Sequence, residues 1–133
     1  MTTLTESMHR EHGALLGDVE HIRLAAREIP DLSPEERALL RDRVLAFLRG
    51  ALVPHSLLEE SGLYPEVAAA LGSQLATAPM IYDHLAIRER IVDLAEADPR
   101  DGPRLQELLY GLHALIKVHF WKEEELYLPL VER

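Results

Sequence analysis

Apolar residues recur every three or four positions along almost the whole chain, and alternating strand patterns are nearly absent. The first segment opens near Thr3, where Glu6 three residues on completes a capping box. Leu15, Val19, Ile22 and Ala26 form its stripe, and Pro30 ends it. Ser33-Pro34-Glu35-Glu36 starts the second, with Ser33 as cap, Pro34 in the first turn and Glu36 closing the box. Its stripe runs through Leu39, Leu40, Val44, Phe47, Leu48 and Leu52 to Leu58, with a stop expected between Gly62 and Pro65. Pro54 lies inside this segment and predicts a kink that frees the Gly50 carbonyl. Residues 65–72 read as a short helical excursion. A third long helix starts near Thr77-Ala78-Pro79 and carries Ile81, Leu85, Ile91, Val92 and Leu94. Residues 98–103 are a loop by composition. The fourth helix carries Leu105, Leu108, Leu109, Leu112, Ile116, Phe120 and Leu126, and is expected to close before Pro129.

Four long amphipathic helices with mostly short connections predict an all-α fold, an up-down-up-down antiparallel four-helix bundle. The 133 residues are one domain's worth of chain, so a single domain over 1–133 is expected. A 47% hydrophobic and 28% charged composition argues against disorder. No apolar run is long enough to span a membrane, and the first residues do not read as a signal peptide. The absence of cysteine removes disulfides, thiolate metal ligands and iron–sulfur clusters, and points to a cytoplasmic protein. With 23 acidic residues against 14 basic ones, the net charge of −9 disfavours nucleic acid and anionic membranes as partners. Seven histidines beside two Phe and one Trp are out of line with a bland core.

Those histidines fall into a pattern. His55-Ser56-Leu57-Leu58-Glu59-Glu60 continues to Leu63-Tyr64-Pro65, and His119-Phe120-Trp121-Lys122-Glu123-Glu124 continues to Tyr127-Leu128-Pro129. The other two long helices each carry an acidic residue followed by His: Glu11-His12 and Asp83-His84. The chain thus reads as two helical hairpins of the same plan. Residues four apart lie on one helix face, about 40° from each other, so His55 with Glu59 and His119 with Glu123 can each address a common point. Counting from the connecting loops places His12, His55, His84 and His119 at similar heights. Bundle cores build dinuclear metal sites from such inward-facing imidazoles and carboxylates. The donor set suits iron, manganese or zinc rather than copper(I) or calcium. Burying these groups without a cation would cost several kcal/mol per unpaired charge, which argues against a merely structural role.

On Glu11-His12, the two H-x-x-x-E-E segments and Asp83-His84, the sequence resembles the hemerythrin-like, HHE cation-binding family over nearly its whole length. The resemblance implies a four-helix bundle around a non-haem di-iron centre. Its ligands would be His12, His55, Glu59, His84, His119 and Glu123, with Glu59, Glu123 and an oxo or hydroxo group as bridges. Members bind O2 reversibly, sense O2 or iron, or handle peroxide and nitric oxide. One departure stands out: where oxygen carriers have a further histidine four residues after the third-helix one, this chain has Arg88. Arg88 is expected to face the site without coordinating, leaving an open position for water, Tyr127 or an exogenous ligand; the blander readings are an Arg88 paired with a nearby Glu and a packed Tyr127. This keeps two functions in play: O2 binding for sensing, storage or scavenging, and a redox enzyme acting on peroxide, nitric oxide or a small substrate. A zinc-bound or metal-free helical interaction module is the third reading.

The remaining residues near the pattern read as peripheral. Glu60 and Glu124, about 140° from their histidines, are expected outside the coordinating layer. His21 should face solvent and His113 an inter-helix rim; His9, one turn before His12, is a candidate for the layer behind the ligands. Trp121 points away from His119, where an exposed indole would mark a contact surface in a weak homodimer; the alternative is a monomer.

Overall fold

The computed structural model describes residues 3–132; residues 1, 2 and 133 of the expected domain lie outside them. Among the described residues there is no strand. The first rod is α1 (Leu4–Glu28), capped by the Thr3–Glu6 box. The second joins α2 (Pro34–Phe47), α3 (Val53–Leu58) and α4 (Tyr64–Leu71), opening on the Ser33–Glu36 box. The third is α5 (Ala78–Glu96), and the fourth joins α6 (Gly102–Lys122) and α7 (Leu128–Val131). Cross-rod bonds run antiparallel: Gln106 Nε2 donates to the Ala26 carbonyl near one end of the bundle, whereas Glu124 meets His12 near the other. Likewise Arg41 donates to the Ala97 carbonyl while Glu60 meets His84. The up-down-up-down bundle is the observed fold.

The second and fourth rods continue past the stops expected at Gly62–Pro65 and before Pro129. Three π-helical turns, Leu48–Leu52, Glu59–Leu63 and Glu123–Tyr127, make this possible. At each, one N–H reaches five residues back: Val53 to Leu48, Tyr64 to Glu59, Leu128 to Glu123. The next residue in every case is proline: Pro54, Pro65, Pro129. In a regular α-helix the proline ring would strike the carbonyl four residues earlier; widening the turn moves that carbonyl aside. Pro54 is accommodated in this way within the second rod. The second rod ends only at Gly72, whose φ of 68° forms the left-handed cap that glycine adopts without a Cβ penalty.

The apolar stripes are narrower than the spacing predicts. Leu39, Leu58, Leu85 and Val92 are exposed, because each sits next to an inward residue: Leu40, Glu59, His84 and Ile91. Leu126 is also exposed, in the turn where the π geometry shifts the helical register. The core divides in two. A large cluster includes Val19, Leu48, Leu94 and Leu109; a smaller one gathers Met8, Leu63, Tyr64, Val67, Met80 and Leu128. On every rod the histidines fall between members of the two clusters: His12 between Met8 and Leu15, His55 between Leu52 and Leu63, His84 between Met80 and Ile87, His119 between Ile116 and Leu128. A polar layer is therefore held inside an apolar bundle.

Candidate metal centre

All six residues singled out by spacing lie in that layer, and each is at most 3% exposed. Glu59 is the hub. Its Oε2 lies 3.2 Å from His12 Nε2 and 3.1 Å from His55 Nε2; its Oε1 lies 3.2 Å from His84 Nε2 and 3.7 Å from His119 Nε2. Glu123 Oε1 lies 3.2 Å from His12 Nε2 and 3.3 Å from His119 Nε2. Two overlapping donor sets result, His12–His55–Glu59–Glu123 and Glu59–His84–His119–Glu123, each with ligand atoms within 4.8 Å of one another. Both carboxylates belong to both sets, the arrangement that two cations sharing bridging ligands require.

Four acids stand behind the imidazoles, each supplied by a different rod from its histidine. His12 Nδ1 meets Glu124 at 2.5 Å, His84 Nδ1 meets Glu60 at 3.1 Å, and His119 Nδ1 meets Asp83 at 2.9 Å. Glu11 stands 3.6 Å from His55 Nδ1, too far for a hydrogen bond. Asp83 thus bonds the histidine of the next rod while Glu11 only stands near it, and the second acids of the two E-E pairs bond the histidines of the other hairpin. Such partners fix ring orientation and turn Nε2 inward. Behind Glu124, His9 bonds both that carboxylate and Glu132, which places it in the outer layer.

The donors fit cations. Glu123 Oε1 is buried with no hydrogen-bond partner. The Nε2 atoms of His84 and His119 lie 3.0 Å apart, and Tyr64 Oη sits 3.1 and 3.2 Å from them. Tyr64 has one proton and gives it to Glu123 Oε2 at 2.8 Å. With the Nδ1 protons given to Glu60 and Asp83, two imidazole lone pairs converge with no donor between them, an arrangement a cation satisfies. Without a cation, protons take its place. Burial works against charge on His12, but Glu123, Glu59 and Glu124 outweigh it and raise its pKa to about 10. At His119, likewise against burial, Asp83, Glu123 and Glu59 raise it to about 11. Burial alone would raise the Glu59 carboxyl, yet the four imidazoles hold it far below the usual carboxylate range.

Tyr64 has no assigned role in the spacing argument, although it belongs to the quoted motif. Burial and the Glu59 and Glu123 charges push its pKa up, so the phenol keeps its proton. The signal lay in the count. Tyr64 comes nine residues after His55, whereas Tyr127 comes eight after His119, and a one-residue offset turns a side chain by about 100°. Tyr127 accordingly points elsewhere and donates to the Ala76 carbonyl; Leu128, nine after His119, is the buried residue there. Tyr127 is therefore not at the centre. Arg88 does not face it either: its guanidinium donates to Glu60, 3.3 Å away, and to the His84 carbonyl. The acid already drawn to His84 draws the arginine outward with it. His21 is exposed and His113 bridges to Glu20, as their spacing suggests.

Comparison with known proteins agrees with this geometry. The hemerythrin HHE cation-binding domain matches residues 3–131. No curated protein and no solved structure matches the chain. Nearly complete coverage by one family, over a bundle whose core gathers that family's residue types, establishes that the chain belongs to the hemerythrin HHE cation-binding domain family.

Proposed function

We propose that the protein is a non-haem di-iron protein that binds O2 or a related small oxidant for sensing, storage or scavenging. The observation that carries this reading is the pair of overlapping donor sets that share Glu59 and Glu123. His12 and His55 would hold one iron and His84 and His119 the other, with both glutamates bridging. Iron bound there supplies the redox equivalents for engaging O2. The chain's own part is to keep the site dry and orient it. Phe120 closes the layer on one side, stacked on His12 with ring centroids 4.6 Å apart.

Tyr64 favours a second reading, a redox enzyme acting on peroxide, nitric oxide or a small substrate. A phenol that keeps its proton sits 3.1 and 3.2 Å from the His84 and His119 donor atoms; turned from Glu123, it would give that proton in a hydrogen bond to a reduced oxidant held there. Arg88, turned to Glu60, brings no such donor to the site.

The test is metal content per chain after expression with iron, together with absorption spectra before and after O2 and peroxide. About two irons with a reversible O2-dependent spectrum supports the first reading, and rapid consumption of peroxide supports the second. Zinc alone, or no metal, would remove both.

A further inference from the structure

The acids behind the imidazoles do not hold them equally. Glu11 and Asp83 occupy equivalent places in the half-repeat, each directly before one histidine and beside the histidine of the next rod. Asp83 Oδ2 lies 2.9 Å from His119 Nδ1, and Lys122 Nζ grips the same oxygen at 2.5 Å. Glu11 stands 3.6 Å from His55 Nδ1, which is buried without a hydrogen-bond partner. The sequence contains the reason. Lys122 comes three residues after His119, whereas the residue three after His55 is Leu58, exposed and unable to hold a carboxylate. Among the described residues, no lysine or arginine pairs with Glu11.

On the His84–His119 side both rings therefore have an acceptor at Nδ1, Glu60 and Asp83, and both turn a lone pair inward. On the other side only His12 is fixed in this way, by Glu124. The proton of a neutral His55 finds no acceptor at Nδ1, but finds Glu59 Oε2 3.1 Å from Nε2, the nitrogen that a cation needs. We propose that the two cation positions are unequal: the first cation takes His84 and His119, and the second takes His12 and His55 about ten- to a hundredfold more weakly, the ordinary cost of an unsupported liganding histidine. The Lys122–Leu58 difference sets the gap. Asp83 and Lys122 are positioning residues, acting on the cation only through His119. The inference rests on the dinuclear reading above and not on which metal is native.

Metal-free protein is titrated anaerobically with Co2+, read by calorimetry and by the visible absorption of the bound ion. Wild type should bind two ions in two steps. His55→Ala should keep the tight step and lose the weak one, and His119→Ala should do the reverse. Changes outside the ligand layer test the cause. Asp83→Ala should weaken the tight step about tenfold or more, Glu11→Ala should leave both steps unchanged, and Leu58→Lys should draw Glu11 onto His55 and tighten the weak step about tenfold. Leu58 is 54% exposed, so the lysine leaves the core packing intact. Two indistinguishable steps, a tight step that persists in His119→Ala, a Glu11→Ala loss as large as that of Asp83→Ala, or a weak step unmoved by Leu58→Lys overturns the proposal. Fewer than two ions bound by wild type overturns the dinuclear reading, and the inference with it.

Discussion

The two sides of the metal layer are built on one plan and finished differently. His12, His55 and Glu124 on one side correspond to His84, His119 and Glu60 on the other, as the half-repeat of the sequence requires. An aromatic ring stacks on the α1 and α5 histidines alike: Phe120 on His12, Tyr64 on His84, both with planes 27° apart. Phe120 offers hydrocarbon alone, whereas Tyr64 brings a hydroxyl to within hydrogen-bond distance of three donor atoms. Two hairpins of one plan thus yield two similar ligand sets, and a single hydroxyl makes them chemically unequal. Hydrogen-bond-directed chemistry is expected on the His84 side and apolar exclusion on the other.

The largest expected effect comes from removing what the sides share. Glu59→Ala deletes the carboxylate that touches all four imidazoles, and metal content should fall from about two per chain toward none. Retention of two metals would show that the sides do not depend on a common bridge. The sides also share a response to pH. With metal absent, His12 and His119, raised to about 10 and 11, stay protonated near neutrality. Their protonation stabilises the metal-free fold fully below the ordinary histidine value near 6.5, and that contribution is lost as pH rises through 10 to 11. Metal must displace these protons, so loading at neutral pH should release about two of them, one from each histidine. Calorimetric titration in buffers of different ionisation enthalpy measures the number, and zero release would contradict it.

Tyr64→Phe erases the difference between the sides. Metal content should hold, while the rate of reaction with peroxide falls by roughly 10- to 100-fold, the loss of the one hydrogen bond the phenol would give a charged reduced oxidant. An unchanged rate in a fully loaded variant would make the hydroxyl structural only. Smallest of all is a change outside the layer. Glu20, exposed and held down to about 2 by Lys117, His113 and Arg23, contributes stability above the unfolded value near 4.5 and loses it as pH falls through 2. Glu20→Gln should lower the urea midpoint slightly at neutral pH and match wild type at pH about 2; a gap that persists there would implicate packing instead.

Much of the site was legible because helical periodicity turns spacing into direction. His55 with Glu59 and His119 with Glu123 needed only the i, i+4 rule, and the heights of His12 and His84 followed from loop positions. What escaped depended on departures from that period. Pro65 and Pro129 read as terminators because proline ends a regular α-helix, but the π turns before them remove the clash. Tyr64 was missed and Tyr127 misplaced for the same reason: an α-helical count carried across a π turn assigns the wrong face. Arg88 was misdirected because its partner, Glu60, comes from another rod, which no single-helix rule sees.

The three π turns have one further consequence. A widened turn in an α-helix resembles a dislocation in a crystal: it can glide along the rod when each amide in turn trades a five-residue bond for a four-residue one. Gliding past any residue requires that residue's N–H, and Pro54, Pro65 and Pro129 have none. Each dislocation is pinned on its C-terminal side. Pinning holds the first turn ahead of His55, directly after its proline, and stops the other two from sliding C-terminally away from Glu59 and Glu123, which open them. In the second and fourth rods, residues that usually break helices thereby act as the stops that keep the centre's donors aimed at one another.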